Sequence, residues 1–303
     1  MRTLIAATAL VLIAFTAHAA QPLVEPAWLA AHVDDPTVKV LDIRNKIDGG
    51  SAEAFAAGHI PGAVYSDYLA AGWRTTVDGV VGKLPPTADV EALIGGLGIG
   101  NDDHVVVVHG GVNSTDFGSA TRVYWTFKVM GHEEVSILDG GYKAWAAAGL
   151  PVETGAVTPK ATKFTASFRP RYLATTEQVE AAAANGTPLV DARPEEQYVG
   201  NAKHGKARAP GTIPGAVNLQ QQTLVAESGE AKDAGQVGAL MANVGLKDDG
   251  EQIAFCNTGH WASIAWFSLS EVKGNKDVRM YDGSMVEWSA DPARPLENGA
   301  AAN

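Results

Sequence analysis

Four short blocks occur twice in this chain, in the same order. VLDIR at 40–44 is echoed by LVDAR at 189–193, and GHIPGAV at 58–64 by GTIPGAV at 211–217. LGIGNDDHVVVVH at 97–109 parallels VGLKDDGEQIAFC at 244–256, and ILDGGYKAW at 137–145 matches MYDGSMVEW at 280–288. The displacements are 149, 153, 147 and 143 residues. Constant order and near-constant spacing mean a tandem duplication, so a fold that suits one half must suit the other.

Within each copy, short apolar or β-branched runs alternate with longer segments of helical spacing. Val38–Leu41, Val105–Val108, Ser136–Leu138, Leu189–Val190, Gln252–Phe255 and Val278–Tyr281 read as buried strands. Segments 87–96, 119–130, 175–184 and 233–243 read as helices. This alternation predicts an α/β fold, each half a mainly parallel sheet with helices on both faces. The expected domains are 22–151 and 171–295, joined by a linker over 152–170, with a frayed tail over 296–303.

The chain opens MRTLIAATALVLIAFTAHA, with Arg2, an apolar stretch from Leu4 to Phe15, then Ala17-His18-Ala19. That order is that of a secretory signal peptide over residues 1–19 rather than of a membrane span. Export is therefore expected, into the periplasm if the source is bacterial. A formal net charge of −11 without a basic tract argues against nucleic-acid or anionic-membrane partners. No later stretch is apolar for long enough to span a membrane.

The one cysteine, Cys256, lies in IAFCNTGHWASIAWF at 253–267, where a strand runs into a loop and then a helix. In parallel sheets functional residues collect at such carboxyl ends. The N–H groups of residues 257–262 and the helix N-terminus favour thiolate, the nucleophilic form. Gly259 suits a tight loop. A free cysteine is more often an inert core residue, but an exported chain with a single thiol has no internal disulfide to make. Aligning the halves sets His109 opposite Cys256, so the first half carries no nucleophile and is expected to wall one side of the cleft.

Other classes fit poorly. A cysteine phosphatase needs Arg six residues after the nucleophile, where Ala262 stands. A cysteine hydrolase needs a His base, and His260 sits too close in the same loop. GGLGIG at 95–100 precedes a strand, which is the wrong context for a dinucleotide fingerprint. The eight histidines make no metal-ligand spacing, so neither metal nor cofactor is expected. Asn113 opens an NST sequon, meaningful only in a eukaryotic secretory route. Asp139 and Asp282 read as turn residues. Asp42–Arg44 and Asp191–Arg193 read as braces, with Arg193 the arginine expected to reach the site.

The paired "LDIR…GHIPGAV" and "VDAR…GTIPGAV", the paired DG…W blocks and the single cysteine loop resemble the tandem-domain rhodaneses, the sulfurtransferases. The resemblance covers the chain from about Leu23 to Trp288. It implies two rhodanese-like domains and a double displacement. Cys256 takes sulfur from a donor such as thiosulfate and passes the persulfide sulfur to cyanide, a thiol or a protein acceptor. It implies a substrate site at Asn257, Thr258, Gly259, His260 and Trp261, with Arg193 and Gln197 nearby. Asn257 and Thr258 stand where thiosulfate-using members carry Arg and Lys, and Gln197 where they carry Arg. His260 and the basic cluster Lys203, His204, Lys206 and Arg208 are the candidates to compensate, and for the cluster a solvated loop is the equal alternative. A mercaptopyruvate-type enzyme and a persulfide carrier or thiol sensor are the alternatives.

Overall fold

The structure, a computed structural model, describes residues 20–299. The expected signal peptide lies outside the described residues. In the first half the elements run β1 (Leu23–Val24), α1 (Pro26–His32), β2 (Val38–Asp42), α2 (Ala52–Ala57), β3 (Val64–Tyr65), β4 (Thr75–Val77) and β5 (Val80–Lys83). Then come α3 (Thr87–Gly96), β6 (His104–Val108), α4 (Ser114–Val129), β7 (Val135–Leu138) and α5 (Gly141–Ala147). The second half has α6 (Thr176–Asn185), β8 (Leu189–Asp191), α7 (Glu195–Tyr198), β9 (Val217–Asn218) and α8 (Ala234–Asn243). It closes with β10 (Gln252–Phe255), α9 (His260–Phe267), β11 (Val278–Met280) and α10 (Ser284–Trp288).

The two sheets are parallel throughout, in the orders β1-β7-β6-β2-β3 and β11-β10-β8-β9. The repeats predict this correspondence strand for strand. The counterpart of β1 is a single bridge from Leu173 to Met280. The antiparallel hairpin β4–β5, closed by Asp78 and Gly79 at φ 50° and 80°, has its second-half counterpart in a single antiparallel bridge from Val225 to Ala231.

Strand alternation decides which way each tip faces. Val105 and Val107 point into a core shared by both halves, while Val106 and Val108 point into a core beneath α1, α2 and α5. In β10, Ile253 and Phe255 take the outer face, leaving Ala254 and Cys256 on the shared face. The thiol therefore faces the other half because of strand parity.

The corresponding helices α4 and α9 meet across the shared core. Thr121 Oγ1 and Ser263 Oγ lie 2.7 Å apart, and Phe117 and Tyr124 meet the Phe267 ring edge-on at 5.8 and 5.1 Å. Burying an aromatic ring of this kind stabilises by about 1.5–3 kcal/mol. Helix α4 is buried on nearly every side, which is why its sequence lacks a polar stripe.

Two further clasps relate the halves. Asp282 Oδ2 accepts from Leu84 N at 2.7 Å, and Asp139 Oδ1 accepts from Ala231 N at 2.9 Å. Both aspartates, read from sequence as turn residues, are thus inter-half acceptors. The connecting segment lies against the first half, with Phe164 buried, Thr162 N bonded to Gly95 O and Ser167 N to Met130 O. The tail also departs from expectation over its described part. Glu297 pairs with Thr212, Gly299 N donates to Tyr198 O, and Trp288 Nε1 donates to Pro295 O, so residues 296–299 are held rather than frayed. No described helix is long and apolar enough to cross a membrane.

Candidate active site

Cys256 follows the last residue of β10 and is 1% exposed. Its loop turns at Gly259, φ 75°, into α9. A Cβ at Gly259 would stand 2.5 Å from Asp282 O and 2.4 Å from Arg122 Nη1, so no side chain fits there. Above the thiol is a cavity of about 180 Å³, lined by Cys256, Asn257, Thr258, His260 and Trp261 from the second half and by Ile47, Arg74 and Thr115 from the first, with His204 at its rim.

The loop's N–H groups divide into two sets. Those of Cys256 and Gly259 donate to Ser284 Oγ, at 2.9 and 3.2 Å. Those of Asn257, Thr258, His260 and Trp261 have no acceptor among the described residues. Four open donors at the start of a helix form a cradle for an anion. Ser284 is buried and sits at φ 51°, a left-handed conformation that costs a non-glycine residue about 1–2 kcal/mol. Its hydroxyl proton faces two acceptors, Tyr281 O at 2.8 Å and Cys256 Sγ at 4.0 Å.

The first half steadies this loop through its carbonyls. Arg122 is fully buried on α4; it donates to Gly259 O at 3.1 Å and Gly82 O at 3.2 Å and pairs with Asp282 at 3.4 Å. Arg74, half-buried just before the hairpin, donates from Nη2 to Thr258 O at 2.6 Å and Oγ1 at 2.9 Å, and from Nε to Gly82 O at 3.2 Å. Gly82 makes that approach feasible, since a Cβ there would lie 2.8 Å from Thr258 O. Lys83 bonds Glu287 at 2.8 Å and pairs with Asp282 at 3.4 Å, pinning the hairpin to the second half. The first half is therefore more than a wall.

His260 does not supply the expected charge. Its Nε2 lies 2.8 Å from Thr115 O, a carbonyl that only accepts, so the proton is on Nε2 and Nδ1 accepts from the Tyr68 hydroxyl at 2.7 Å. Burial first, then the neighbouring Arg74, hold its pKa down to about 3. Trp261, partly buried, both lines the cavity and donates from Nε1 to Thr115 Oγ1 at 3.2 Å.

Arg193 and Gln197 lie outside the lining. Arg193 is 1% exposed and engages Asp191 through Nε and Nη2 and Gly211 O through Nη2, the brace that Arg44 makes on Asp42 and Gly58. Gln197 Oε1 accepts from Asn257 Nδ2 at 2.8 Å, so it orients a lining residue. In the basic cluster Lys203 bonds Ala207 O and Arg208 bonds Ser289 O; only His204 reaches the cavity.

The corresponding loop of the first half is built differently. His109 is buried and its Nδ1 lies 2.9 Å from Asp116 Oδ2. The Asp116 carboxylate accepts from Gly110, Gly111 and Val112 N–H at 3.1, 2.6 and 3.0 Å. An internal anion fills that cradle, and the His109 pair with these N–H groups holds the Asp116 pKa down to about 2 against its burial.

Sequence reasoning missed Arg74, Arg122, Tyr68, Asp116 and Ser284. Two had a signal. DGG at 139–141 becomes DGS at 282–284, so a glycine at φ 61° in one copy is a strained serine in the other. Asp78-Gly79 between Thr75-Thr76-Val77 and Val80-Val81 marks the hairpin that presents Arg74.

Comparison with known proteins agrees with this architecture. The rhodanese-like domain family model matches residues 25–148 and again 175–291. The chain is 31% identical over 285 residues to a putative thiosulfate sulfurtransferase 1 of Mycobacterium bovis, covering 92% of this chain and 98% of that protein. It is 32% identical over 278 residues to the 3-mercaptopyruvate sulfurtransferase of Escherichia coli, covering 89% and 95%. The crystal structure of SseA from Escherichia coli superposes with a TM-score of 0.75 at 30% identity, over 87% of this chain and 98% of that one. Two parallel sheets repeated in tandem, with a cysteine at the tip of the second, are thus accounted for by descent: the chain belongs to the rhodanese-like domain family, in tandem form, and is a sulfurtransferase.

Proposed function

We propose that Cys256 is the persulfide-forming nucleophile and that the exported chain moves sulfane sulfur from thiosulfate to a small thiophilic acceptor. The observation that carries this reading is the open N–H cradle beside the only thiol, in a cavity of about 180 Å³. The Cys256 thiolate attacks the outer sulfur of thiosulfate. A new S–S bond forms as the S–S bond to sulfite breaks, and sulfite leaves with that electron pair. The N–H groups of Asn257, Thr258, His260 and Trp261 stabilise the anionic persulfide that remains, as an oxyanion hole does an oxyanion. Cyanide or a thiolate then attacks the terminal sulfur, and Cys256 leaves as thiolate. Neither transfer needs an outside oxidant.

No general base is required, and His260 is unsuited to the role with both ring nitrogens bonded. The small cavity favours a small donor over a bulky one. Mercaptopyruvate is the second donor to consider, because the Escherichia coli relative is named for it. Export rests on the sequence of residues 1–19.

Intact mass after thiosulfate, and separately after mercaptopyruvate, is the test. A gain of about 32 Da, one persulfide sulfur, that cyanide removes and that Cys256→Ser lacks is expected. Thiosulfate should load fully, with turnover at least about 1,000-fold lower in Cys256→Ser. Loading that only a protein discharges would replace this reading with a carrier, and no loading from either donor would overturn it.

A further inference from the structure

The cavity above Cys256 must hold a donor, and its lining shows where charge can be met. The cysteine loop offers none, with Asn257 and Thr258 beside the thiol. His260 is neutral, as its bonds require. His204 at the rim has its pKa lowered by burial and then by Arg74, which disfavours its charged form. Arg122 is wholly buried on carbonyls and Asp282, and Arg193 is closed off by Asp191. Among the described residues lining the cavity, Arg74 is the one lysine or arginine, and with His204 and Thr258 it also lines a neighbouring depression of about 460 Å³. Its Nε and Nη2 hydrogens are held by Gly82 and Thr258, which fixes the plane of the fork.

We propose that Arg74, carried by the thiol-free half, is the specificity-determining anion anchor of this sulfurtransferase. Its Nη1 edge receives the delocalised oxyanion, a sulfonate or carboxylate, on the leaving part of the sulfur donor. The proposal rests on Cys256 being the nucleophile. It assigns donor recognition to one half and sulfur chemistry to the other. Nη1 is the one guanidinium nitrogen that these contacts leave, and it gives such a group a charge-assisted hydrogen bond from a fixed position, where a lysine would act as a mobile point charge. The Thr258 contacts serve the same end, since they fix the distance between fork and thiol.

Alkylation of the full chain tests this without any donor. Iodoacetate and iodoacetamide attack the same sulfur and differ in charge. The ratio of their rate constants should exceed that of free cysteine, and Arg74→Gln should lower it about tenfold, the loss of one charge-assisted hydrogen bond. Arg74→Lys should keep most of the selectivity. A ratio unchanged in Arg74→Gln overturns the proposal, even if both rates fall together, because that is the mark of a residue that only positions the loop. The ratio is read whether or not thiosulfate loads Cys256. A selective thiol that fails to load sinks the sulfur-transfer reading alone, and a loading thiol without selectivity sinks this one alone. The KM values of thiosulfate and mercaptopyruvate in Arg74→Gln then separate the sulfonate from the carboxylate as the group bound.

Discussion

The loops after β6 and β10 are the same device in two states of occupancy. Each leaves a parallel strand on the shared face and enters a buried helix. In the second half four N–H groups stand open beside Cys256, and a serine secures two more. In the first half three N–H groups grip Asp116, and the residue corresponding to the serine is Gly141. A cradle can either hold its own carboxylate or wait for an outside anion. Duplication supplied two copies, and the difference between them is where the negative charge comes from.

Moving the thiol is the strongest way to break that comparison. His109→Cys in a Cys256→Ser background puts a sulfur at the corresponding tip, next to Asp116. It should stay at least about 1,000-fold below the native protein in thiosulfate turnover. Adding Asp116→Ala should raise alkylation of the grafted thiol about tenfold, the effect on thiolate of removing one adjacent charge. Grafted cysteine that loads as fast as Cys256 would mean cradle occupancy does not separate the halves.

Ser284 gives the next effect. Ser284→Gly makes the second turn like the first, relieving about 1 kcal/mol of backbone strain while leaving the Cys256 and Gly259 N–H groups without their acceptor. Ser284→Ala keeps the strain and loses the same acceptor, at about 1–3 kcal/mol. Chemical denaturation should therefore rank wild type above Gly and Gly above Ala. Persulfide formation should fall at least about tenfold in both. Equal rates in all three would reduce the serine to a packing residue.

A further contrast lies in pH. Burial, and then the Asp116 carboxylate beside it, push the Asp48 pKa up to about 7. A carboxyl raised in the folded state binds its proton more tightly there than when unfolded. Its contribution is thus greatest below about pH 4 and is lost as pH rises toward 7. Asp116, held down to about 2, has the opposite sign, and its contribution fades only as pH falls below about 4. Asp48→Asn should flatten the stability profile between pH 4 and 7 and leave the acid limb unchanged, as read by denaturation across that range. An unaltered slope would show that Asp48 does not titrate with a raised pKa in the folded state.

Much of this was legible in the chain. The strand Gln252–Phe255 and the helix 87–96 fall where periodicity sets them, because a buried β-branched run and an apolar helical face are local signals. Helix α4 begins at Ser114 rather than 119; the Asn113 cap, which accepts from Asp116 N, is the signal that the sequon reading obscured. Arg193 was expected at the site and is a brace, since a charged residue at a strand tip looks the same in either role until its partner is known. Arg74 and Arg122 were invisible for a related reason. Their acceptors, Thr258 O and Gly259 O, are backbone carbonyls 184 and 137 residues away, and a carbonyl leaves no mark in the residue type.

The paired aspartate clasps carry a consequence for the gene. Asp282 closes on Leu84 and Asp139 on Ala231, positions that the repeat itself relates. Each copy supplies a donor that the other must receive, so truncating either coding half strips the survivor of a partner it was shaped around. The thiol-free copy cannot be shed as a relic of duplication. What began as redundancy has become mutual dependence, and the unit on which selection acts is the pair.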